Sequence, residues 1–380
     1  MTTPSPIRIL YFTNTLGAGG AERQLLYLLR GLDRTRYAPA VLTIYGESHL
    51  AAHYKPDLEA LNIPIYSLEH GSGLQGRVSA LARYAALMWR FRPHIVQGVL
   101  HYANLIARVM RPFTPPHKLI TSVRERYTPN QLRSERLTHW LNGTILLNSA
   151  GLLDHMAEGA HLPRRKLRVI PNAIPLERFA EPPAVALRPQ LAPDAAFVAV
   201  MVARIDPVKD HATLLRALHL LKDTLPPNFK LILVGEVSVP AAQAEITRRI
   251  GEYGLDRYVV QHPPTRDIAP YYHAADVSIL PSQAEAFPNV VLESFAAGKP
   301  AIVSAAANGV NIVEHGRTGW VFPTGDAAAL ARVLESVWRT PPADLHQMGE
   351  RARAAIAPYT IPKLIENYTA LYESLLGRRK

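Results

Sequence analysis

The chain has 380 residues, 48% of them hydrophobic and 19% charged, a balance that suits packed globular domains and, at this length, two of them. It contains no cysteine, which excludes a disulfide framework, thiolate metal ligation and thiol nucleophiles, and fits a cytoplasmic address. The net charge is +11, and the whole excess lies early: residues 1–178 hold 22 Lys and Arg against 11 Asp and Glu, whereas residues 179–380 hold 20 against 20.

That asymmetry implies an anionic partner for the first half, either nucleic acid or an anionic membrane face, with a merely solvated surface as the plain alternative. No aromatic stacking motif or helix-turn-helix signature accompanies the charge, which disfavours nucleic acid. No run of about 18 uncharged apolar residues occurs, so neither a signal segment nor a membrane span is expected.

In chain order, the apolar run at 7–13 predicts a strand, and "LGAGGAERQL" (16–25) follows it and opens a helix at 21–32. Gly17, Gly19 and Gly20 either admit a phosphate-bearing ligand close to the backbone or make a tight turn; a strand followed by a helix N-terminus is the right setting for an anion. The stretch fails the dinucleotide fingerprint, since Glu22 stands where a third Gly belongs, and it fails the P-loop pattern, since no Gly-Lys-Ser/Thr follows.

Further strands are predicted at 40–44, 94–97, 118–123, 144–147 and 167–170, with helices at 77–91, 102–111 and 149–158. In "GRVSALARYAALMWRFR" (76–92), Val78, Leu81, Ala82, Ala85, Met88 and Trp89 recur at helical spacing, with Arg77, Arg83, Arg90 and Arg92 mostly off the stripe. An amphipathic helix with a core-facing stripe is expected there, although its terminal Trp and Arg also suit a membrane interface. The Pro-rich "AEPPAVALRPQLAPD" (180–194) reads as a linker. A second series of strands follows near 197–202, 230–234, 258–261, 277–280, 300–303 and 320–322. The alternation predicts two doubly wound α/β domains, 1–178 and 179–358. The last stretch, 359–380, reads as a helix with a basic tail and is expected to pack back on the first domain.

The chemistry concentrates in the second half. "MVARIDPVKDHATLL" puts Arg204 at a strand end and Lys209 five residues on, two cations suited to a diphosphate. Asp206 and Asp210 are either their salt-bridge partners or helix caps. In "AADVSILPSQAEAFPNVVLESFAAGKPAIVS" (274–304) a strand ends at Leu280, Glu285 lies in a loop, and a helix begins after Pro288 and Asn289 with Glu293 about one turn inside. Carboxylates accept from vicinal hydroxyls and free amides of a first helical turn favour anions, so a ligand with sugar rings and phosphates suits both. Taken alone, Glu293 also reads as a solvated helix residue.

Together "GAGGAE", "VIPNAI" (169–174), "VARIDPVKD", "LVGE" (233–236), "HAADVSILPSQAEAFPNVVLESFAAGKP" and "HGRTGWVFPTGD" resemble the retaining glycosyltransferases of family 4, in order and over nearly the whole chain. The resemblance implies the GT-B fold, two Rossmann-like domains facing each other across an interdomain cleft. It implies that Arg204 and Lys209 hold the diphosphate of a nucleotide diphosphate sugar, with a UDP-sugar favoured. It further implies that Glu285 contacts the donor sugar, that Glu293 takes the ribose hydroxyls, and that amides around Phe287, Pro288, Asn289 and Val290 assist the phosphates. Gly17, Gly19 and Gly20 would approach the donor from the first domain. "VQGVLHYANLIARVM" (96–110) is similar to the family segment that places a His beside the transferred sugar, making His101 the candidate, against a capping or packed role.

The family expectation is transfer of a hexose-type sugar with retention, to a glycan or lipid-linked acceptor in cell-surface polysaccharide synthesis. It needs no cofactor and no metal, since no Asp-x-Asp sequence occurs and Arg204, Lys209 and helix amides supply the charge. The partners implied are the donor, the acceptor and, through the basic first domain, an anionic membrane on the cytoplasmic side. A sugar phosphorylase or nucleotide-sugar epimerase of the same architecture, and a basic nucleic-acid-binding protein, are the alternatives. Two departures stand out: Ala286 replaces the usual Gly after Glu285, and "SAAANGVNIVEHG" (304–316) puts Asn308, Gly309 and Asn311 where relatives carry a Gly-Gly pair followed by an acidic residue. The second places the identity of the sugar in doubt.

Overall fold

The computed structural model describes residues 5–46, 52–69, 73–226 and 228–377. The chain divides into two compact units, Met1–Ala173 together with Ile361–Lys380, and Ile174–Thr360.

The first unit is built on a sheet of seven parallel strands, β1 (Ile7–Thr13), β2 (Tyr37–Thr43), β3 (Ile65–Ser67), β4 (Ile95–Gly98), β5 (Lys118–Val123), β6 (Thr144–Leu147) and β7 (Leu167–Val169). Their order is β3-β2-β1-β4-β5-β6-β7, so the winding reverses between β1 and β4. These strands are almost continuous apolar runs because helices cover both faces. The last helix, Ile361–Leu376, returns to this unit: Leu364, Tyr368 and Tyr372 are buried in the core beneath β1. The Tyr372 hydroxyl donates to Gln97 Oε1 at 2.7 Å and lies 3.0 Å from that of Tyr11. The basic tail, 378–380, lies outside the described residues.

The second unit repeats the plan with six parallel strands, β8 (Phe197–Val202), β9 (Phe229–Val234), β10 (Val259–His262), β11 (Val277–Leu280), β12 (Ala301–Ser304) and β13 (Gly319–Phe322). Their order is β10-β9-β8-β11-β12-β13, with the reversal between β8 and β11. Alternation along β8 feeds two cores: Phe197, Ala199 and Met201 pack with helices His211–Leu220 and Ala327–Trp338, while Val198 and Val200 pack with Val291, Leu292 and Phe295.

Three expectations need correction. The division falls after Ala173, not at 178, and the Pro-rich 180–194 stretch is no linker between the units but part of the second. It is held there because Ala192 is buried in the core, Leu187 and Leu191 pack against that core, and Arg188 pairs with Asp276 at 2.8 Å. The stripe of helix Gly73–Phe91 is also rotated: Ala80, Tyr84 and Met88, spaced by four, are the buried line, and Val78 and Trp89 face solvent.

Candidate functional site

In a doubly wound sheet the crevice opens beyond the carboxyl ends of the strands at which the winding reverses. In the second unit those strands are β8 and β11, and the segments that leave them carry the residues of interest.

Beyond β8 the backbone runs close to β9. A Cβ on Gly235 would lie 1.8 Å from the Ala203 carbonyl oxygen, so only Gly lets Ala203 and Arg204 pass. Arg204 is exposed and has no ion-pair partner among the described residues. The chain then turns through Pro207–Lys209, where Asp206 accepts from the Val208 amide at 2.9 Å. Asp210 stands in the left-handed region, φ 55°, and caps the next helix by accepting from the Thr213 amide at 3.1 Å and its hydroxyl at 2.7 Å. Both aspartates are therefore caps, and neither pairs with Arg204 or Lys209.

The loop after β11 is fastened to that turn. The Gln283 amide donates to the Val208 carbonyl at 2.8 Å and its side chain donates to Asp210 Oδ2. Lys209 Nζ then meets Glu285 Oε1 at 2.5 Å, and the Ser282 hydroxyl donates to the same oxygen at 2.9 Å. The two residues that the sequence assigns to phosphate and sugar are thus each other's partner, with side-chain exposures of only 20% and 13%.

Helix Asn289–Ala296 follows, with Pro288 as N-cap and no side-chain acceptor for its first turn. Pro288 has no N–H to offer an anion, and the Asn289 amide already donates to the Phe287 carbonyl at 3.1 Å. The Phe287 and Val290 amides have no acceptor among the described residues, which leaves them as the donors of this stretch. The Phe287 ring is buried and meets Tyr359 edge-on at 5.7 Å. Glu293 is not a solvated helix residue: it is 1% exposed, and the Tyr272 hydroxyl lies 3.3 Å from its Oε2 and 3.1 Å from the Val290 carbonyl.

His211, next to Asp210, went unnoticed in the sequence. It is buried, and desolvation pushes its pKa down to about 4.

The remaining candidates, Gly17, Gly19, Gly20 and His101, belong to the first unit. Gly20 begins helix Gly20–Gly31 and Gly19 is its N-cap at φ −77°, so neither conformational freedom nor a tight turn explains Gly19. A Cβ there would fall 2.2 Å from Glu22 Oε2: what comes close to the glycine is the chain's own carboxylate, folded back over the helix start.

His101 is the first residue of helix His101–Val109 rather than its cap, which is Leu100. Its ring stands edge-on to Tyr127 at 5.1 Å, its Nε2 is 3.5 Å from the Ser134 hydroxyl, and its Nδ1 is buried without a partner. Burial, and then the charge of Arg108, lower its pKa, which favours the neutral imidazole. Behind it Arg108 and Glu135 form a fully buried ion pair, with Arg108 Nη1 also donating to Thr138 Oγ1 at 2.7 Å. The signal was present: Arg108 stands seven residues after His101, two turns on along the same helix face.

Two parallel α/β units, each with its winding reversal at the central strand pair, define a double-Rossmann protein, and the second carries a cation-rich strand end beside a helix N-terminus. Residues 19–173 match the family model described as glycosyl transferase 4-like domain, and residues 186–355 match glycosyl transferases group 1. The chain belongs to the family 4 glycosyltransferases and has the GT-B fold. HepE of Anabaena, solved with UDP and glucose, superposes with a TM-score of 0.85 over 97% of this chain and 100% of that one, at 20% identity. A D-inositol 3-phosphate glycosyltransferase of Streptomyces avermitilis is 29% identical over 55% of this chain and 47% of its own length. A lipopolysaccharide 1,2-N-acetylglucosaminetransferase of Salmonella typhimurium is 28% identical over 68% and 67%. The match thus spans about half the length of the first of these relatives.

Proposed function

We propose that the protein is a retaining transferase that moves a hexose-type sugar from a nucleotide diphosphate sugar, a UDP-sugar in the favoured case, to a glycan or lipid-linked acceptor in cell-surface polysaccharide synthesis. The observation that carries this reading is Arg204, exposed and with no ion-pair partner among the described residues, on the same segment beyond β8 as the Lys209 that pairs with Glu285 from beyond β11, where helix Asn289–Ala296 begins with no side-chain cap. The names of the relatives, an inositol phosphate and a lipopolysaccharide transferase, and the UDP bound to HepE support the donor and acceptor classes.

Charge develops on the departing diphosphate, and fixed cations and amides aimed at it stabilise that transition state without a metal or cofactor. Arg204 binds the diphosphate through its planar fork, Lys209 adds a point charge, and the Phe287 and Val290 amides donate from the helix start. Glu285 accepts from hydroxyls of the donor sugar and at the same time aims Lys209. Glu293 receives the ribose hydroxyls by exchanging its Tyr272 hydrogen bond for theirs. The acceptor hydroxyl oxygen bonds to the anomeric carbon on the face the diphosphate leaves, the carbon–oxygen bond to the diphosphate breaks, and the acceptor proton passes to the departing phosphate oxygen. Neutral His101 is assigned to the sugar hydroxyls. The basic first unit contacts an anionic membrane surface at the cytoplasmic side.

The test is a thermal-shift screen of the wild type and Arg204→Ala against uridine, guanosine and adenosine diphosphate sugars. A true donor stabilises by mass action, about 2.7 kcal/mol at a hundredfold excess over Kd. The expected result is a rise in Tm with one of them that Arg204→Ala abolishes; no shift with any, and a variant indistinguishable from wild type, would sink the reading.

A further inference from the structure

The rotated helix Gly73–Phe91 leaves Trp89 55% exposed, and it is not alone. Phe113 is 66% exposed, Leu137 64% and Trp140 69%, each a large apolar side chain at the surface. They are neighbours. The Trp89 indole N–H donates to the Phe113 carbonyl at 3.4 Å, the Trp140 indole N–H donates to the Leu137 carbonyl at 3.0 Å, and Arg111, between the two pairs, donates to the Leu141 carbonyl. Topology explains the grouping. Trp89, Phe113 and Trp140 each stand where a helix ends and the chain turns into β4, β5 or β6, which lie side by side in the sheet. The patch therefore sits at the amino edge of the first unit's sheet, opposite the carboxyl edge where a doubly wound sheet binds its ligand.

Its surroundings are cationic almost without relief. Arg90, Arg92, Arg111, Lys118 and Arg136 stand at the same turns of the chain as the four apolar residues, and between Trp89 and Leu141 the only acids are Glu125, which follows β5 at the carboxyl edge, and Glu135, buried against Arg108. Counted over the units as they fold, the first holds 25 Lys and Arg against 12 Asp and Glu, the second 17 against 19. A protein partner of ordinary composition would need acids matched to this rim, and the second unit of another copy, with its net charge of −2, is a poor match. Indoles and a phenyl ring ringed by Arg are instead the composition of a surface that sits in the headgroup layer, the rings entering the acyl boundary and the guanidinium groups meeting phosphates.

We infer that Trp89, Phe113, Leu137 and Trp140, with Arg90, Arg92, Arg111 and Arg136 around them, form a docking surface for an anionic lipid bilayer. The inference rests on the proposed membrane contact of the first unit and gives that contact its residues and its orientation: the sheet's amino edge faces the lipid and its carboxyl edge faces the aqueous side. No described helix is long and apolar enough to cross a membrane, so the contact is interfacial.

The experiment is co-sedimentation of the full chain with vesicles of phosphatidylcholine alone and with about a third phosphatidylglycerol, at low and high salt. The variants are Trp89→Ala/Phe113→Ala/Trp140→Ala and Arg90→Glu/Arg92→Glu/Arg136→Glu. All six positions are exposed, and unchanged nucleoside diphosphate binding verifies that the variants fold. Wild type is expected to bind only anionic vesicles, with a blue-shifted tryptophan emission, and each triple variant to lose at least about tenfold in partitioning. If wild type binds and the aromatic variant binds equally well, the patch is wrong while the membrane reading stands; if wild type does not bind at low salt, both fall. A wild-type dimer that the aromatic variant dissociates, without vesicle binding, assigns the surface to a second copy and overturns the inference.

Discussion

Lys209 and Glu285 carry opposite demands on one contact. At 2.5 Å and about four-fifths buried or more, the pair is held as a unit, with Ser282 sharing the carboxylate. Under the proposed function Lys209 would offer a diphosphate its charge only by dividing it with Glu285, so the two substitutions should differ in sign toward a nucleoside diphosphate. Lys209→Ala is expected to weaken its binding and to lower kcat about a hundredfold, as removal of a preorganised charge at a leaving group does. Glu285→Gln is expected to keep or tighten that binding, because Lys209 is relieved of its competitor, while turnover with the intact sugar donor falls. Calorimetric titration with the nucleoside diphosphate and initial rates with the donor separate the two effects. Equal weakening by both variants would mean that Glu285 only positions Lys209 and does not serve the sugar.

Among the elements, helices His101–Val109 and Pro129–Thr138 are joined by an ion pair with no solvent access, Arg108 to Glu135. Burial pushes Glu135's pKa up against the opposing pull of Arg108, so its charge depends on that partner. Removing one member leaves a bare buried charge or an unmet guanidinium, at a cost of about 3–5 kcal/mol, while replacing both with apolar residues of similar volume is near neutral. Urea unfolding of Arg108→Met, Glu135→Leu and the double variant is expected to show two large losses and a double variant far more stable than their sum. Additive losses would contradict the pairing. Helix Pro129–Thr138 was one of the elements that the sequence hid: its Arg-, Ser- and Glu-rich surface breaks the apolar period, and its only advertisement is the box in which Thr128 and Gln131 cap one another across Pro129. β3, three residues at a sheet edge, was equally faint. Long β-branched and apolar runs such as Ile7–Thr13 and Phe197–Val202 were plain, because a strand covered on both faces must be apolar throughout. Type and spacing were enough to place Arg204 and Lys209 beyond β8, and Glu285 and Glu293 beyond β11. That Lys209 and Glu285 pair, that Glu22 fills the space over Gly19, and that Trp89 points outward were not legible, since each depends on a side-chain direction that spacing alone leaves open.

At the scale of the whole molecule, buried and half-buried histidines are expected to make both units sensitive to acid. His211 is pushed down to about 4 from an ordinary 6.5, and burial lowers His101, His117, His139 and His155 in the first unit and His273 in the second. A histidine held neutral in the folded state takes up its proton more readily once the chain unfolds. Between about pH 6.5 and 4 the unfolded state binds the extra proton, so stability rises with pH through that window and is lost as pH falls. For His211 alone the full span is about 3 kcal/mol, of which about 2 kcal/mol is lost by pH 5. Urea unfolding at about pH 7.5 and pH 5, above the range in which most carboxylates titrate, is expected to show a loss larger than His211 alone supplies, because the other histidines share its sign. In His211→Gln that loss should shrink by about 2 kcal/mol, whatever the variant costs at pH 7.5, since the glutamine has no proton to take up. An unchanged pH slope in the variant would mean that His211 is protonated in the folded state and that the acid sensitivity belongs to the other histidines.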